Sequence, residues 1–69
     1  MHVGERYRHY KGNEYEIVAL AKHSETLEDL VVYKDVKAMD RTWVRPLAMF
    51  LETVEVNGVR VPRFTLIEI

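Results

Sequence analysis

The last third of the chain contains the local pattern that most restricts how this sequence can fold. Four valines alternate with other residues on either side of an Asn-Gly pair: Val54, Val56, Val59 and Val61 around Asn57-Gly58. An Asn-Gly pair between alternating segments is typical of a two-residue type I′ turn, because both turn residues need a positive φ. The valines then determine which residues pair. The sequence therefore predicts a hairpin with strands at 53–56 and 59–61, interrupted by Pro62.

The same period of two runs through most of the chain and predicts further strands. They cover residues 5–10, 14–23, 27–36, 42–45 and 64–69, with turns at 11–13 and 23–26 and a polar loop at 37–41 around Met39. Only the segment from Pro46 to Glu52 has helical spacing, and it is long enough for one or two turns. The turn at Lys11-Gly12-Asn13 is expected to use a positive φ at Gly12.

Two finer expectations concern the first hairpin and the second strand. If residues equidistant from Gly12 pair, His9 lies opposite Tyr15. Strict alternation places Val18 and Leu20 on the face opposite Ile17. Because that face begins acidic and becomes apolar, we expect the second half of the strand to be covered on both sides.

About five or six strands in 69 residues are too many for a flat sheet to bury well. The fold class predicted is therefore mostly β: one domain over residues 1–69, built as a small closed or partly open SH3-like barrel of antiparallel strands. One short helical turn is expected near Pro46–Leu51. A partly open β-roll is the alternative.

Composition restricts the setting of the protein. The chain has no cysteine, which leaves no disulfide framework or thiolate zinc site and favours the cytoplasm. Its apolar runs are too short to span a bilayer, and the first five residues lack the layout of a signal peptide. A formal net charge of −1 does not favour a dedicated nucleic-acid-binding protein.

Motifs for catalysis are weak. His9 and His23 stand far apart along the predicted ribbon, and neither belongs to a metal-binding spacing. Glycines are isolated at turns, so no phosphate loop is present, and no Gly-x-Ser-x-Gly elbow occurs. We therefore assign no catalytic residue, no metal and no cofactor. An enzyme that uses His9 or His23 with Glu25 is the least favoured function.

A group of aromatic and basic side chains is the best candidate site. We expect a ligand-binding rim made of Arg8, His9, Tyr10, His23, Tyr33, Trp43 and Arg45. Rings and guanidinium groups together suit a peptide or an anionic small molecule. Two other interpretations stay open: Tyr33 and Trp43 can complete the core, and Glu14 and Glu16 can neutralise the first-strand arginines across the hairpin.

Other functions remain as alternatives to such a non-enzymatic binding module. The same face could bind single-stranded nucleic acid, with an affinity that falls steeply as salt rises. A homodimeric structural adaptor is the third alternative, since a chain of this size buries little surface by itself.

Several motifs resemble those of a bacterial family of short proteins. They are Tyr7-Arg8-His9-Tyr10-Lys11-Gly12-Asn13, then His23-Ser24-Glu25, Tyr33, Trp43-Val44-Arg45-Pro46-Leu47 and Pro62-Arg63-Phe64. By these residues the chain is similar to domain-of-unknown-function family sixteen fifty-three over nearly its whole length. The resemblance implies a small, mostly β domain of the bacterial cytoplasm and no established reaction. Residues 37–41 depart from the family pattern, which puts ligand contacts by that loop in doubt.

Overall fold

Seven strands and one short helix make up the computed structural model, which describes residues 1–38 and 40–68. They are β1 (Arg6–His9), β2 (Glu14–Lys22), β3 (Asp29–Asp35), β4 (Thr42–Pro46), α1 (Leu47–Phe50), β5 (Thr53–Val56), β6 (Val59–Pro62) and β7 (Phe64–Ile67). Each predicted segment forms a strand with ends close to those expected, so the described residues contain seven strands rather than the five or six counted from the sequence. Met39, in the predicted loop, and Ile69, in the predicted last strand, lie outside the described residues.

The strands form two antiparallel sheets. Five of them pair in the order β4-β3-β2-β1-β7, and β5 pairs only with β6. The mostly β class is confirmed. The closed barrel is wrong, because within the described ranges no ladder joins β4 to β7 and both remain edges of an open sheet. The four-residue α1 is far too short to cross a membrane, and no longer helix occurs in the described part of the chain.

The β5–β6 hairpin has the predicted turn and register. Asn57 and Gly58 both adopt positive φ, at 51° and 80°, as a type I′ turn requires. Val56 pairs with Val59, and Val54 pairs with Val61. Local turn chemistry and alternation were sufficient to specify this element.

The first hairpin is shifted from its predicted register. Tyr7, not His9, lies opposite Tyr15. The backbone N–H of His9 donates to Asn13 O at 2.8 Å, and that of Gly12 donates to His9 O at 2.7 Å. The loop therefore has three residues, 10–12, with Gly12 last at φ 109°. It is as long as the predicted turn but begins one residue earlier, so each β2 residue pairs with a β1 residue two positions before the expected one.

Gly12 offers a test of this loop. No atom outside its neighbours would lie within 4 Å of an added Cβ, so an alanine there would cost only backbone strain. We expect Gly12→Ala to lower the free energy of unfolding by about 1–2 kcal/mol, measured by urea denaturation. D-alanine, introduced by chemical synthesis, favours positive φ and should leave stability close to that of the wild type. An equal loss with both enantiomers would contradict the strain explanation.

A bulge in β2 changes which side chains face the core. Residues directly opposite in an antiparallel pair share a face. Ile17 pairs with Tyr33, and Leu20 pairs with Val31. The two β2 residues are three positions apart in the sequence, whereas their two partners on β3 are only two positions apart. The extra residue lies between Ile17 and Ala19, where the register shifts. Leu20 thus returns to the core face, contrary to strict alternation.

The expectation that the second half of β2 is covered on both sides is also wrong. Val18 and Leu20 are both exposed. The bulge explains why the second half of β2 is apolar, because it turns Leu20 towards the core face. Leu20 lines a shallow groove there with Leu30 and Leu47.

Aromatic rings form most of the core on one face of the sheet, which we call the inner face. The buried residues are Tyr7, Ile17, Val31, Tyr33, Phe50 and Phe64. Phe50 comes from α1 and stacks on Phe64 with ring centroids 4.0 Å apart and planes at 4°. The outer face carries ion pairs instead, including Arg6–Glu16 at 3.5 Å and Arg8–Glu14 at 3.3 Å.

Candidate functional site

Strand register brings the candidate residues to the inner face. Trp43 lies opposite Tyr33, and Arg45 lies opposite Val31, which places both β4 side chains on the face that holds the core. Phe64 lies opposite His9 where β7 meets β1. All of these side chains except Val31 line an open cavity of about 200 Å³ together with Tyr15. We call it the aromatic–arginine pocket, lined by His9, Tyr15, Tyr33, Trp43, Arg45 and Phe64.

Ring-to-ring contacts hold the walls of the pocket in place. Phe64 meets His9 edge to face with centroids 5.0 Å apart, and it meets Tyr33 at 5.7 Å. Tyr15 packs edge to face against Tyr33 at 5.4 Å. Trp43 is 49% exposed, so its ring stands at the opening of the pocket. Such edge contacts are favoured by the ring quadrupoles and make the walls rigid.

Two arginines give the pocket a positive charge. The guanidinium carbon of Arg45 lies 5.7 Å from the Phe64 ring centroid, and its Nη1 is buried without a hydrogen-bond partner among the described residues. The Nε of Arg63 is also buried without a hydrogen-bond partner among the described residues, while its Nη2 donates to Glu52 at 3.4 Å. No carboxylate lines the pocket within the described part of the chain. The charge of Arg45 is therefore left without a carboxylate partner, whereas the charge of Arg63 is paired with Glu52.

His9 is held neutral by this environment. Burial lowers the pKa of its imidazole, and the nearby charges of Arg45, Arg63 and Lys11 lower it further. Its Nδ1 accepts a hydrogen bond from the backbone N–H of Lys11 at 3.1 Å. In the neutral ring the proton therefore sits on Nε2. His9 contributes a hydrogen-bond donor rather than a second cation.

The lowered pKa of His9 predicts a pH dependence of stability. Between its lower native pKa and its ordinary value of 6.5, the unfolded chain binds the proton better than the folded chain. We expect the free energy of unfolding to fall as pH is lowered through this window and to be unaffected by His9 well above it. Urea denaturation from about pH 7.5 to about pH 5 measures this slope.

The matched control for this pH dependence is the exposed terminal His2. His9→Gln should flatten the slope, whereas His2→Gln should leave it unchanged. A slope that survives His9→Gln intact would contradict the assignment.

Tyr33 keeps its hydroxyl proton over the physiological range. Burial raises the pKa of Tyr33, and the charge of Arg45 and a polar contact of its guanidinium with the phenol oppose this effect only in part. The phenol therefore stays a neutral donor and acceptor in the pocket wall.

Three predicted rim residues lie outside the pocket. Arg8 alternates to the outer face, where it pairs with Glu14. Tyr10 follows β1 and its ring lies 4.5 Å from that of His9, but it is exposed and does not line the cavity. His23 occupies the β2–β3 turn, where its Nδ1 accepts the backbone N–H of Glu25 at 3.1 Å. The open interpretation in which acidic residues neutralise the first-strand arginines is the one found.

Sequence reasoning missed Tyr15 and Phe64 as lining residues. The sequence predicts Tyr15 only as the residue opposite His9, and Phe64 only as the start of the last strand. A signal was present in the Pro-Arg-Phe segment, where Phe64 starts a strand beside a proline that ends the preceding one. That change of strand places Arg63 and Phe64 at a corner of the sheet.

The fold and site define a small, mostly β domain with a cationic aromatic pocket on one sheet face. The chain belongs to the family described as Protein of unknown function (DUF1653), whose model matches residues 5–66. This is the family that the motifs indicated. The chain is also similar to a solved structure described as a crystal structure of a protein belonging to DUF1653 from Bordetella bronchiseptica. That match has 36% identity and a TM-score of 0.82, and it covers 97% of this chain and 87% of the other. No curated protein gives a significant match.

Proposed function

We propose that this protein is a non-enzymatic binding module that receives an anionic group of a peptide or small molecule in the aromatic–arginine pocket. The observation that carries the proposal is the unpaired, buried Nη1 of Arg45 in a pocket without a carboxylate. A buried donor that lacks a partner costs free energy, more so when it is charged. A ligand carboxylate or phosphate would supply the missing acceptor.

The ring beside Arg45 supports the same conclusion. The guanidinium lies over the Phe64 ring, and an ion pair is stronger beside an apolar surface than in open water. Because Nη1 is shielded from solvent, the guanidinium must turn slightly towards the opening of the pocket before a ligand acceptor can reach this atom.

Pocket size restricts the ligand. Its volume of about 200 Å³ is below the roughly 300–1,000 Å³ of sites that enclose a whole drug-sized molecule. The pocket therefore suits a carboxylate or phosphate with a flat or short body, and the rest of the ligand would extend past Trp43. We regard the open sheet as a partly open SH3-like barrel, in which the β2 bulge bends the strand. In such a barrel the opening of the pocket beside Trp43 stays accessible.

Benzoate and benzamide provide a direct test because they have nearly the same shape and differ in charge. Trp43 is the one tryptophan of the chain, so its fluorescence reports on the pocket opening. We expect benzoate to change Trp43 emission in a saturable manner and to bind about 10-fold or more tightly than benzamide. Inorganic phosphate serves as a competitor. Equal binding of benzamide and benzoate, or no saturable signal with benzoate and phosphate, would refute the proposal.

A further inference from the structure

β4 is an open edge of the sheet, and it carries two residues of the pocket. It pairs with β3 on one side, and on its other side no strand of the described residues pairs with it. Trp43 and Val44 are exposed, at 49% and 62%. An unpaired edge presents backbone donors and acceptors to any extended chain that reaches it.

The backbone groups that face outwards from β4 can be derived from one hydrogen bond. The N–H of Asp35 donates to Arg41 O at 3.1 Å. In an antiparallel ladder, bonded pairs alternate with non-bonded pairs. Trp43 and Arg45 therefore direct their backbone groups to β3, while Thr42 and Val44 direct theirs to the open side. Pro46 has no N–H, so the row of outward donors ends at Val44.

We propose that an extended peptide adds to β4 as an antiparallel strand and places an acidic side chain in the aromatic–arginine pocket. This rests on the proposed function, since the acidic side chain is the anionic group that the pocket receives. All other ladders of this sheet are antiparallel, and this direction aligns the backbone bonds best.

The register of β4 specifies the sequence pattern of the peptide. Residues opposite Arg45 and Trp43 face inwards and stand two apart, so the peptide reads acidic–x–aromatic from its N-terminal end. The acidic side chain meets Arg45, and the aromatic ring covers the exposed face of Trp43. The middle residue lies opposite Val44 on the outer face, where a β-branched side chain would cover it. A residue opposite Thr42 completes the pairing.

Charge complementarity favours a peptide over a second copy of β4. The β4 sequence, Thr42–Pro46, holds no acidic residue that could meet Arg45 of another copy. Self-pairing would also leave two pockets with unpaired arginines. An acidic peptide supplies backbone hydrogen-bond partners to the β4 edge and a carboxylate to Arg45 in the pocket.

The test uses the peptide acetyl-Lys-Glu-Val-Phe-Thr-Lys-amide and the full chain. We expect it to bind more tightly than benzoate, because backbone bonds add to the ion pair. Replacing its Glu by Gln should weaken binding about 10-fold or more. N-methylation of its Val, whose N–H would donate to Val44 O, should cost a similar factor. N-methylation of its Phe, whose N–H points away from β4, is the matched control and should cost much less.

A variant of the protein examines the same bond from the other side. Val44→Pro removes an outward N–H that makes no bond to β3, so the sheet should be retained. We expect it to weaken the peptide about 10-fold while benzoate affinity stays unchanged. Val44→Thr keeps the N–H and should bind the peptide nearly as the wild type does.

The outcomes separate the two proposals. If benzoate is still preferred over benzamide but neither N-methylation of Val nor Val44→Pro matters, strand addition is wrong and the pocket proposal survives. If neither benzoate nor the Glu-containing peptide is preferred over its neutral analogue, both fail. If sedimentation shows a dimer that Val44→Pro dissociates, a second copy occupies the edge and the peptide proposal is overturned.

Discussion

Phe50→Ala is expected to lower the free energy of unfolding by about 3–5 kcal/mol. Phe50 is buried and stacks on Phe64 at 4.0 Å, and it also meets Tyr7 and Tyr33 edge to face. The substitution leaves a cavity at the centre of the core and removes these ring contacts. A domain of this size has roughly 3–10 kcal/mol of stability in total. We therefore expect a large fraction of the variant to be unfolded at 25 °C, as measured by urea denaturation and near-UV circular dichroism.

The neighbouring Leu51 is the matched control. It is 62% exposed and follows directly after α1. Leu51→Ala should change stability by no more than about 0.5 kcal/mol. Similar losses for the two variants would show that the aromatic core does not depend on α1 in the way described.

Arg45→Met is expected to weaken benzoate binding about 10-fold to 100-fold, in line with the value of a hydrogen bond to a charged group. Methionine keeps an unbranched apolar side chain against the Phe64 ring but removes the charge and every donor. The cost of the unpaired Nη1 offsets the contacts of the guanidinium with Phe64 and Tyr33, so its removal should change the free energy of unfolding by no more than about 1 kcal/mol. Fluorescence titration with benzoate and urea denaturation measure the two quantities.

Arg60 provides the control for this variant. It lies on β6, is exposed and does not line the pocket. Arg60→Met changes the net charge by the same amount, so it should leave benzoate affinity within about twofold once long-range charge effects are screened by salt. If both variants weaken benzoate equally, binding depends on overall charge and not on the pocket.

Local patterns predicted the elements whose structure is decided locally. The β5–β6 hairpin has its predicted turn and register because Asn57-Gly58 fixes the turn type and the valines fix the faces. The helical segment likewise follows from Pro46 and a short apolar spacing. Its observed length of four residues is about one turn, within the predicted one or two, and β5 begins soon afterwards.

The errors arose where the register of a strand pair is set by a loop or a bulge, and at the β2 bulge one extra residue changes every face that follows. The first loop closes on His9 and Asn13, so the pairing is not centred on Gly12. The bulge after Ile17 returns Leu20 to the core face, and nothing in a single sequence distinguishes that bulge from regular alternation. Closure was predicted from the number of strands, but β4 and β7 remain apart.

The candidate site was predicted in part for the same reason. His9, Tyr33, Trp43 and Arg45 line one pocket because strand pairing brings four distant segments to the inner face. Arg8 and His9 cannot both line one pocket, because adjacent strand residues point to opposite faces. Tyr15 and Phe64 depend on long-range register, which composition and spacing do not contain.

The most direct test of the pocket is a benzoate titration of isotope-labelled protein followed by NMR, with the side-chain Nε–H signals of the arginines and the imidazole signals of His9 observed together. We predict that the Nε–H of Arg45 and the His9 ring shift along one saturable curve, while the signal of Arg60 stays in place. Saturable shifts at Arg60 or Arg8 that leave Arg45 and His9 unmoved would contradict the account.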